Sequence, residues 1–384
     1  MNILIVIPEL SYRGGERIFY TLAKGLGQEG HKVKILAARV KADAFKFEPP
    51  ISLLTLPGIL QKLMGNNLIF YIILFPVLFL MVFINSGDVD VIDSESGFAL
   101  WASVLVGKLR HKKVVWTIFA FESDILPKGL ANRLFRYIYG RVDRFIARKA
   151  DGYKCIAPRI SRSLKKAYGI DDVDVIIPAI DPDRFNNAKP FEVIRKFGLK
   201  GKLVVLLPAT LHLKKNQRLA IDSLGKILEV FPNVVLVLLG SGPDREDLVS
   251  YAEARGLGGS VIFAGVAYGD GIKNYYAASD VVLVCSKVEN EGLSMTALEA
   301  LANGVMPIVS VGAGVAEILS KKNIALVVNP DVSEFSQAII NYLRTPLKYE
   351  NMIVRGKRWV SEELTLKNFT NKTLDVYESL FLHI

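Results

Sequence analysis

The chain has little cysteine and histidine. Its 384 residues include two cysteines, Cys155 and Cys285, and four scattered histidines, with no HExxH motif and no Cys/His cluster. Two cysteines cannot form a disulfide framework, so a reducing compartment fits best and a zinc enzyme is a poor fit. The N-terminus also lacks the basic region and small-residue cleavage site of a signal peptide. We therefore expect a cytoplasmic protein.

Features of nucleic-acid binding proteins are missing too, because there is no zinc finger, no RNP-like aromatic strand and no long basic arm. We expect no nucleic-acid partner. The charge nevertheless favours anionic ligands: 48 Lys and Arg residues stand against 38 Asp and Glu, a formal net charge of +10. By itself this balance does not separate phosphate-bearing ligands from anionic lipid surfaces.

The first forty residues predict a βαβ unit. Ile3–Ile7 is an apolar run typical of a parallel strand buried on both faces. A glycine loop with Gly14 and Gly15 follows, then a helical pattern and a second strand, Val33–Ala37. Ligands of open α/β sheets bind at such a loop. The loop lacks GxGxxG spacing and no acid follows the second strand, so a nicotinamide enzyme is a poor fit.

Two series of strands follow one another, separated by a turn signal at 178–183. The pattern predicts an α/β protein with two doubly wound domains, residues 1–182 and 183–361, and an amphipathic helix over 362–384. The further predicted strands are Val89–Ile92, Val114–Ile118, Gly152–Ile156, Val173–Ile177, Leu203–Leu207, Val234–Leu239, Val261–Phe263, Val281–Val284, Val305–Val309 and Ala325–Val328.

Two Asp-Val-Asp triplets, at 88–90 and 172–174, are possible metal ligands. An Asp-x-Asp triplet can hold a divalent cation through its carboxylate oxygens. Both triplets here stand where the chain enters an apolar strand, which is the commoner position for such acids. We therefore expect no metal site.

An apolar segment, Leu68 to Ile84, runs for seventeen residues without a charge and is interrupted by Pro76. As a helix it would be about 25 Å long, against about 30 Å of bilayer hydrocarbon, and the proline would kink it. Two alternatives remain. The helix is buried under neighbouring helices, or its outer face enters a membrane interface. The basic runs Arg110–Lys113 and Arg159–Lys166 favour the second, a peripheral membrane contact through 68–84.

The most specific stretch contains Glu291 and Glu299, with seven residues between them. It follows the predicted strand Val281–Val284, and we expect a helix to begin near Gly292. Amides at a helix start carry partial positive charge, so a diphosphate can bind there. Glu299 stands in an apolar run, where an acid is rarely only solvated, and a ribose diol suits a carboxylate acceptor. The alternative is a helix start at which the dipole favours acids.

A second candidate is the pair Lys214 and Lys215, just after the predicted strand Leu203–Leu207. A lysine at this strand end can neutralise phosphate. Without further support, a lysine pair is more often a solvated loop.

At these residues the chain resembles the retaining, nucleotide-sugar-dependent glycosyltransferases of family four (group 1). Their GT-B fold has two Rossmann-like domains facing a central cleft, and the resemblance implies that the C-terminal helix, 362–384, packs back on the first domain. The resemblance covers nearly all of the chain, and the glutamate pair is its most specific motif. The segments that carry it are RGGERIFYTLAKGLGQEGHKVKIL, VIIPAIDPDRF, LLGSGPDREDLVSYAEARGLGGSVIFAGVAYGDGIKNYYAASDVVLVCS and ENEGLSMTALEALANGVMPIVSVGAGVAEIL.

The resemblance implies that Glu299 holds the nucleotide ribose and that Glu291 approaches the hydroxyls of the donor sugar. Lys215 would stabilise the departing diphosphate. No dedicated nucleophile is expected, because in this family leaving group and acceptor are thought to react on one face of the sugar. The family usually has an arginine where this chain has Thr210, and Lys214 is a candidate for the missing positive charge.

The remaining donor contacts are implied in the same way. Gly14 and Gly15 would let the backbone of the first domain approach the donor. The amides of Leu293 and Ser294 would take phosphate oxygens, and the loop at Val266 would contact the base. The nucleotide sugar is a co-substrate, and neither a cofactor nor a metal is implied.

A second departure follows the strand Val114–Ile118, where the family often has a histidine and this chain has Phe119 or its neighbours. Glu122 and Asp124 are candidates for a polar role near the acceptor. We expect an enzyme that transfers a sugar, with retention, to a lipid-linked or cell-envelope glycan acceptor at the cytoplasmic face of the membrane. The alternative is a catalytically silent GT-B subunit that docks a partner or a membrane.

Overall fold

The computed structural model describes residues 1–10, 14–40, 45–58, 61, 68–119, 132–267, 271–286 and 292–382. The chain divides into two compact units: Met1–Ala179 with Leu366–Ile384, and Ile180–Thr365. The first division lies three residues before the end predicted for the first domain. The second lies four residues after the end predicted for the second domain.

The first unit is built on a parallel sheet in the order β3-β2-β1-β4-β5-β6-β7. Its strands are β1 Asn2–Leu10, β2 Lys32–Val40, β3 Ile51–Thr55, β4 Val91–Ser94, β5 Lys113–Ile118, β6 Gly152–Cys155 and β7 Asp174–Val175. The helices between them are α1 Gly14–Gln28, α2 Leu68–Asn85, α3 Phe98–Arg110, α4 Asn132–Ala147 and α5 Pro158–Tyr168. β1 is an interior strand and is buried from Ile3 to Ile7. β3 was not predicted, because this edge strand has no fully buried residue to mark it.

The second unit repeats the plan with the order β10-β9-β8-β11-β12-β13. Its strands are β8 Leu203–Pro208, β9 Val234–Leu239, β10 Val261–Gly265, β11 Val281–Val284, β12 Met306–Ser310 and β13 Leu326–Val328. Its helices are α6 Pro190–Phe197, α7 Gln217–Leu228, α8 Arg245–Ala254, α9 Gly271–Ala277, α10 Met295–Ala302, α11 Ala316–Lys322, α12 Val332–Arg344 and α13 Glu350–Glu363. All its strand pairs are parallel, as continuous apolar runs predict.

The last helix, α14 Leu366–Ser379, belongs to the first unit, where it packs on α1. A Cβ at Gly25 of α1 would lie 1.9 Å from Thr370 Oγ1, so the two helices approach closely only because residue 25 is glycine. The prediction of one helix from residue 362 onward was wrong. Residues 362 and 363 end α13, and the helix stops at Leu364, whose carbonyl accepts a hydrogen bond from the Ile180 amide at 2.8 Å.

A buried cluster of polar side chains around Asp93 joins α14 to the sheet of the first unit. Lys154 Nζ in β6 lies 2.7 Å from Asp93 Oδ2 in β4, and the two side chains are 4% and 0% exposed. Thr117 of β5 donates its hydroxyl to Asp93 Oδ1, and Tyr377 of α14 donates its phenol to Oδ2, each at 2.5 Å. The Asp93 carboxylate is therefore surrounded by three donors, one of them from the C-terminal helix.

Candidate functional site

The order of strands in the second unit creates a binding edge between β8 and β11. These neighbours lie at the point where the order reverses, so the connections that leave them run in opposite directions. Ligands of open α/β sheets bind outside the carboxyl ends of the strands at such a point. The residues predicted from the glutamate motif and the lysine pair all follow β8 or β11.

The loop after β8 is held in place by the loop after β9. A Cβ at Gly240 would lie 2.1 Å from the Ala209 carbonyl oxygen, and one at Gly242 would lie 2.2 Å from that of Leu211. The amide of Leu211 also donates to the carbonyl of Ser241 at 3.0 Å. Side chains are excluded at both glycines, and the backbone that leads to the lysine pair is therefore fixed.

Lys214 and Lys215 lie in a single 3-10 turn, Leu213–Lys215, after β8. The His212 ring caps the turn, because its Nδ1 accepts from the Lys214 amide at 3.2 Å. Lys214 is exposed and Lys215 is half-buried. Thr210, at the position where the resemblance expects an arginine, is exposed. Two positive charges therefore stand at this edge, and both come from the predicted pair.

α10 begins at Met295, three residues later than predicted, because Gly292 to Ser294 are not helical. Ser294 adopts an extended conformation and serves as the N-cap residue. Leu293 and Ser294 are both buried. Thr296 donates its hydroxyl to the Pro208 carbonyl at 3.1 Å, which joins the first turn of α10 to the end of β8. The first amides of the helix, which have no partner within it, thus lie at the end of β8, the strand that precedes the lysine turn.

Glu299 lies in α10 with a side chain that is only 10% exposed. The phenol of Tyr276, in α9, donates to Glu299 Oε2 at 2.7 Å. Arg184 Nη1 is 3.7 Å from Oε1, which is ion-pair distance but too long for a hydrogen bond. The sequence analysis singled out neither partner. Arg184 stands in the quoted segment VIIPAIDPDRF and Tyr276 in the one that begins LLGSGPDRED, so those motifs contained the signal.

The pKa of Tyr276 is raised well above its usual value, first by burial and then by the negative charge of Glu299. The phenol is therefore protonated at physiological pH and acts as a donor to the carboxylate.

Val266 follows β10 and is 43% exposed, so it is available to a ligand. The preceding residue, Gly265, has a φ of +74°, a backbone conformation that favours glycine. The Gly265 carbonyl accepts from the Gly240 amide at 2.7 Å, which links the loop after β10 to the loop after β9.

Gly14 and Gly15 begin α1 of the first unit, after β1. A Cβ at Gly15 would lie 3.0 Å from the ring of Phe119, whereas one at Gly14 would meet nothing within 4 Å. Phe119 also packs edge-on against Phe19 of α1, with ring centroids 5.0 Å apart. The position where the resemblance expects a histidine is therefore occupied by a packed aromatic ring. Glu291, Glu122 and Asp124 lie outside the described residues.

The Asp-Val-Asp triplet at 88–90 has structural partners. Asp88 pairs with Lys34 at 2.6 Å, and Asp90 accepts from the Asn2 amide at 2.7 Å. The hydrogen bond from Lys34 is the main reason why the pKa of Asp88 is lowered. Among the described residues, no group of three or more His, Cys, Asp or Glu side chains is arranged to hold a metal ion.

α2 has one buried face and one exposed face. Leu74, Leu78 and Val82 are buried, whereas Leu80 and Ile84 are 58% and 66% exposed. The alternative of burial under neighbouring helices was therefore wrong for the outer face. In the part of the chain that the structure describes, no helix is long and apolar enough to cross a membrane.

The exposed face of α2 continues onto α3. Phe75 of α2 packs against Phe98 and Trp101 of α3 at 6.2 Å, and Arg110 lies 4.0 Å over the Phe83 ring, so the helices run side by side. We refer to their exposed hydrophobic residues together as the apolar face. It consists of Ile73, Leu80, Phe83, Ile84, Leu105 and Leu109.

Two family models together match most of the chain. The family described as Glycosyltransferase Family 4 matches residues 12–184, and Glycosyl transferases group 1 matches residues 191–359. The chain belongs to the group 1 glycosyltransferases. As a member of this family it is a glycosyltransferase that uses a nucleotide-sugar donor.

Relatives of this glycosyltransferase act on different acceptors, as their names state. It is 26% identical over 303 residues to the 2-deoxystreptamine glucosyltransferase of Streptomyces kanamyceticus, covering 75% of this chain and 77% of that one. It is also 26% identical over 211 residues to the GDP-mannose-dependent alpha-(1-6)-phosphatidylinositol monomannoside mannosyltransferase of Mycobacterium tuberculosis, covering 53% and 55%.

The fold of this glycosyltransferase is that of GT-B enzymes. The crystal structure of Anabaena HepE in complex with UDP and glucose superposes with a TM-score of 0.81 at 18% identity, covering 99% of this chain and 100% of that one. At such an identity the likeness concerns the fold, and the two Rossmann-like units described above are what the chains share.

Proposed function

We propose that the protein transfers a sugar, with retention of its anomeric configuration, from a nucleotide sugar to a lipid-linked or cell-envelope glycan acceptor at the cytoplasmic face of the membrane. One observation carries the donor half of this proposal. At the carboxyl edge of the second sheet, a mostly buried carboxylate, Glu299, and the first amides of α10 follow β11, and the lysine turn follows β8, the neighbouring strand.

Each of these groups suits a different part of a nucleoside diphosphate. The Glu299 carboxylate accepts hydrogen bonds from ribose hydroxyls. The amides at Leu293 and Ser294 bind phosphate oxygens at the start of α10. Lys215, supported by Lys214, stabilises the negative charge that grows on the diphosphate as the bond to the sugar breaks.

The other assignments rest on the resemblance. Val266 contacts the base, Gly14 and Gly15 contact the donor through their backbone, and Glu291 binds the hydroxyls of the donor sugar. In the retaining step, the bond from the anomeric carbon to the diphosphate oxygen breaks with its electron pair on the diphosphate. The acceptor hydroxyl attacks the same face of the sugar, and its proton passes to the departing diphosphate oxygen. Neither an enzyme nucleophile nor a metal takes part.

The apolar face supports a lipid-linked acceptor. A large exposed hydrophobic patch on a soluble protein marks an interaction site, and basic side chains beside it add attraction to anionic lipid. Arg110 stands at this patch, over Phe83. The mycobacterial relative is named for a phosphatidylinositol acceptor, which fits a membrane surface as the place of reaction.

Turnover of a sugar nucleotide tests the donor half. Purified protein is screened by thermal shift against UDP-, GDP-, ADP-, CDP- and dTDP-linked sugars. A ligand at 100 times its Kd adds about 2.7 kcal/mol to the free energy of unfolding, enough to raise Tm by a few degrees. The stabilising donor is then incubated with membrane lipid extract, and NMR of the product gives the anomeric configuration. An inverted product contradicts retention.

Vesicle flotation tests the membrane half. Replacing Leu80, Ile84 and Leu109 by serine should abolish flotation with phosphatidylglycerol vesicles. The double variant Leu347→Ser and Val354→Ser, at exposed positions of the second unit, is the control and should float like the unchanged protein. Equal flotation of both variants contradicts a role for the apolar face.

A second candidate function is a catalytically silent GT-B subunit that docks a partner or membrane. It is favoured by two observations, the exposed Thr210 where the family usually has an arginine and the packed ring of Phe119 where it often has a histidine. A silent subunit binds a nucleotide but does not release it from the sugar. Nucleoside diphosphate release in the screen above separates the two functions.

A further inference from the structure

The Glu299 carboxylate has acceptor capacity to spare. An ionised carboxylate offers about four lone-pair sites, and the Tyr276 phenol occupies one of them, on Oε2. Among the described residues, no group donates a hydrogen bond to Oε1. Its ion-pair partner, Arg184 Nη1, is 3.7 Å away, which is too long for a hydrogen bond. Arg184 therefore balances the negative charge of the Glu299 carboxylate without occupying an acceptor site on Oε1. A pair of hydroxyls can therefore bind without displacing a partner.

Tyr276 is itself held rigidly. It is fully buried, and Phe185 packs edge-on against its ring at a centroid distance of 6.0 Å. Because the Tyr276 hydroxyl donates to Glu299, the fixed ring sets the orientation of the carboxylate plane. A glutamate side chain has three rotatable bonds, and ordering a flexible side chain on binding costs free energy. A fixed phenol removes part of that cost before the ligand arrives.

We propose that Tyr276 is a positioning residue for ribose recognition, which holds the Glu299 carboxylate so that its remaining oxygen sites face the 2′ and 3′ hydroxyls of the donor nucleotide. The consequence is a specificity. The protein prefers ribonucleotides to deoxyribonucleotides, and this preference depends on the phenol of Tyr276. The inference rests on the proposed role of Glu299 and adds to it the residue that orients the carboxylate.

The neighbouring tyrosine provides a matched control. Tyr275 lies beside Tyr276 in α9 and is also buried, but its ring faces Phe197, at a centroid distance of 6.2 Å. Replacing either tyrosine by phenylalanine removes one phenol oxygen and keeps the ring. Only the change at 276 removes a hydrogen bond to Glu299.

The test compares nucleotides that differ by one hydroxyl. The nucleoside diphosphate that stabilises the protein most, among UDP, GDP, ADP and CDP, is titrated calorimetrically together with its 2′-deoxy and 3′-deoxy forms. The titrations use the unchanged protein and the variants Glu299→Gln, Tyr276→Phe and Tyr275→Phe. Thermal unfolding of each variant establishes that it is folded.

We expect the unchanged protein and Tyr275→Phe to bind the ribonucleotide about tenfold more tightly than at least one deoxy form, the effect of one hydrogen bond to a charged group. Glu299→Gln and Tyr276→Phe should bring that ratio close to one. If Glu299→Gln loses the preference and Tyr276→Phe keeps it, the positioning role is overturned. An equal loss of affinity for all three nucleotides in Tyr276→Phe, with the ratio intact, is a structural effect and also overturns it.

A third outcome concerns the proposed function and not this inference. If Glu299→Gln shows the same ratio of ribonucleotide to deoxyribonucleotide affinity as the unchanged protein, Glu299 does not recognise the ribose. The proposed role of Glu299 then fails, and the inference fails with it.

Discussion

The two units use the same arrangement of a carboxylate, a tyrosine and a cation in opposite ways. In the first unit Asp93 receives three donors, from Thr117, Lys154 and Tyr377, and is completely buried. In the second unit Glu299 receives one donor, and its cation stands back at 3.7 Å. The closed cluster around Asp93 joins the sheet of the first unit to the C-terminal helix. The open one keeps oxygen sites for a ligand.

The central strands show the same contrast. β9 and β11 of the second unit are apolar and buried along their whole length, and Glu299 lies in a helix that follows β11. The first unit instead carries Asp93 and Lys154 inside its sheet. If Glu299 binds the nucleotide as we propose, burial alone does not distinguish a binding carboxylate from a structural one. The number of acceptor sites left on the carboxylate then distinguishes them.

The largest effect should come from breaking the closed cluster. Lys154→Ala leaves Asp93 buried without its counter-charge, which should lower the free energy of unfolding by about 3–5 kcal/mol. Urea unfolding measures this. Lys108→Ala is the control, because Lys108 pairs with Asp151 through a side chain that is 55% exposed, and the change should cost less than about 1 kcal/mol. Equal losses in the two variants would show that burial of the pair is unimportant.

A substitution at the carboxyl edge of the second sheet should change catalysis and leave the free energy of unfolding nearly unchanged. Lys215→Ala should lower kcat about 100- to 1,000-fold with a smaller change in KM, because charge grows on the leaving diphosphate in the transition state. Steady-state kinetics with the donor found in the screen measures both constants. Lys226→Ala, on the exposed side of α7, should match the unchanged protein. A rise in KM alone would make Lys215 a binding group only.

Alkaline pH should weaken the interior of the first unit. Burial raises the pKa of the Cys155 thiol from 9.0 to about 11. Above pH 9 the unfolded thiol loses its proton while the folded one keeps it, so stability falls as pH rises from 9 to 11. The loss should be on the order of 2 kcal/mol. Urea unfolding at pH 8 and pH 10.5 should show a shallower decline in Cys155→Ala, and parallel declines would refute the assignment.

The smallest effect should come from restoring a charge at the open edge. Thr210→Arg places a guanidinium at the exposed position before the lysine turn, where it can bind phosphate. We expect donor affinity to rise about three- to tenfold in calorimetric titration. Ser250→Arg adds the same charge on α8 and serves as the control. If both variants gain equally, the effect is one of net charge.

The sequence predicted most strands to within two or three residues, because buried parallel strands are written as continuous apolar runs. It missed β3, a half-exposed edge strand without such a run. It placed the start of α10 at Gly292, because the apolar pattern does not show that Ser294 is extended. Local patterns thus report burial well and cap geometry poorly.

The contacts of the two carboxylates were beyond the reach of local patterns. Asp93 and Tyr377 are 284 positions apart, and Arg184 precedes Glu299 by more than a hundred. Which side chains meet is decided by strand order and helix packing, which no window of sequence contains. The glutamate motif nevertheless led to Glu299, because an acid within an apolar helix needs a reason to be there.

The most direct test of this contrast is a pair of variants measured in two ways. Glu299→Gln and Asp93→Asn each neutralise one carboxylate, and both the Kd for the stabilising nucleoside diphosphate and the Tm are determined for each. We predict that Glu299→Gln weakens nucleotide binding about tenfold or more with little change in Tm. Asp93→Asn should lower Tm by several degrees and leave Kd unchanged. If Glu299→Gln lowers Tm and keeps the affinity, Glu299 is a structural carboxylate like Asp93.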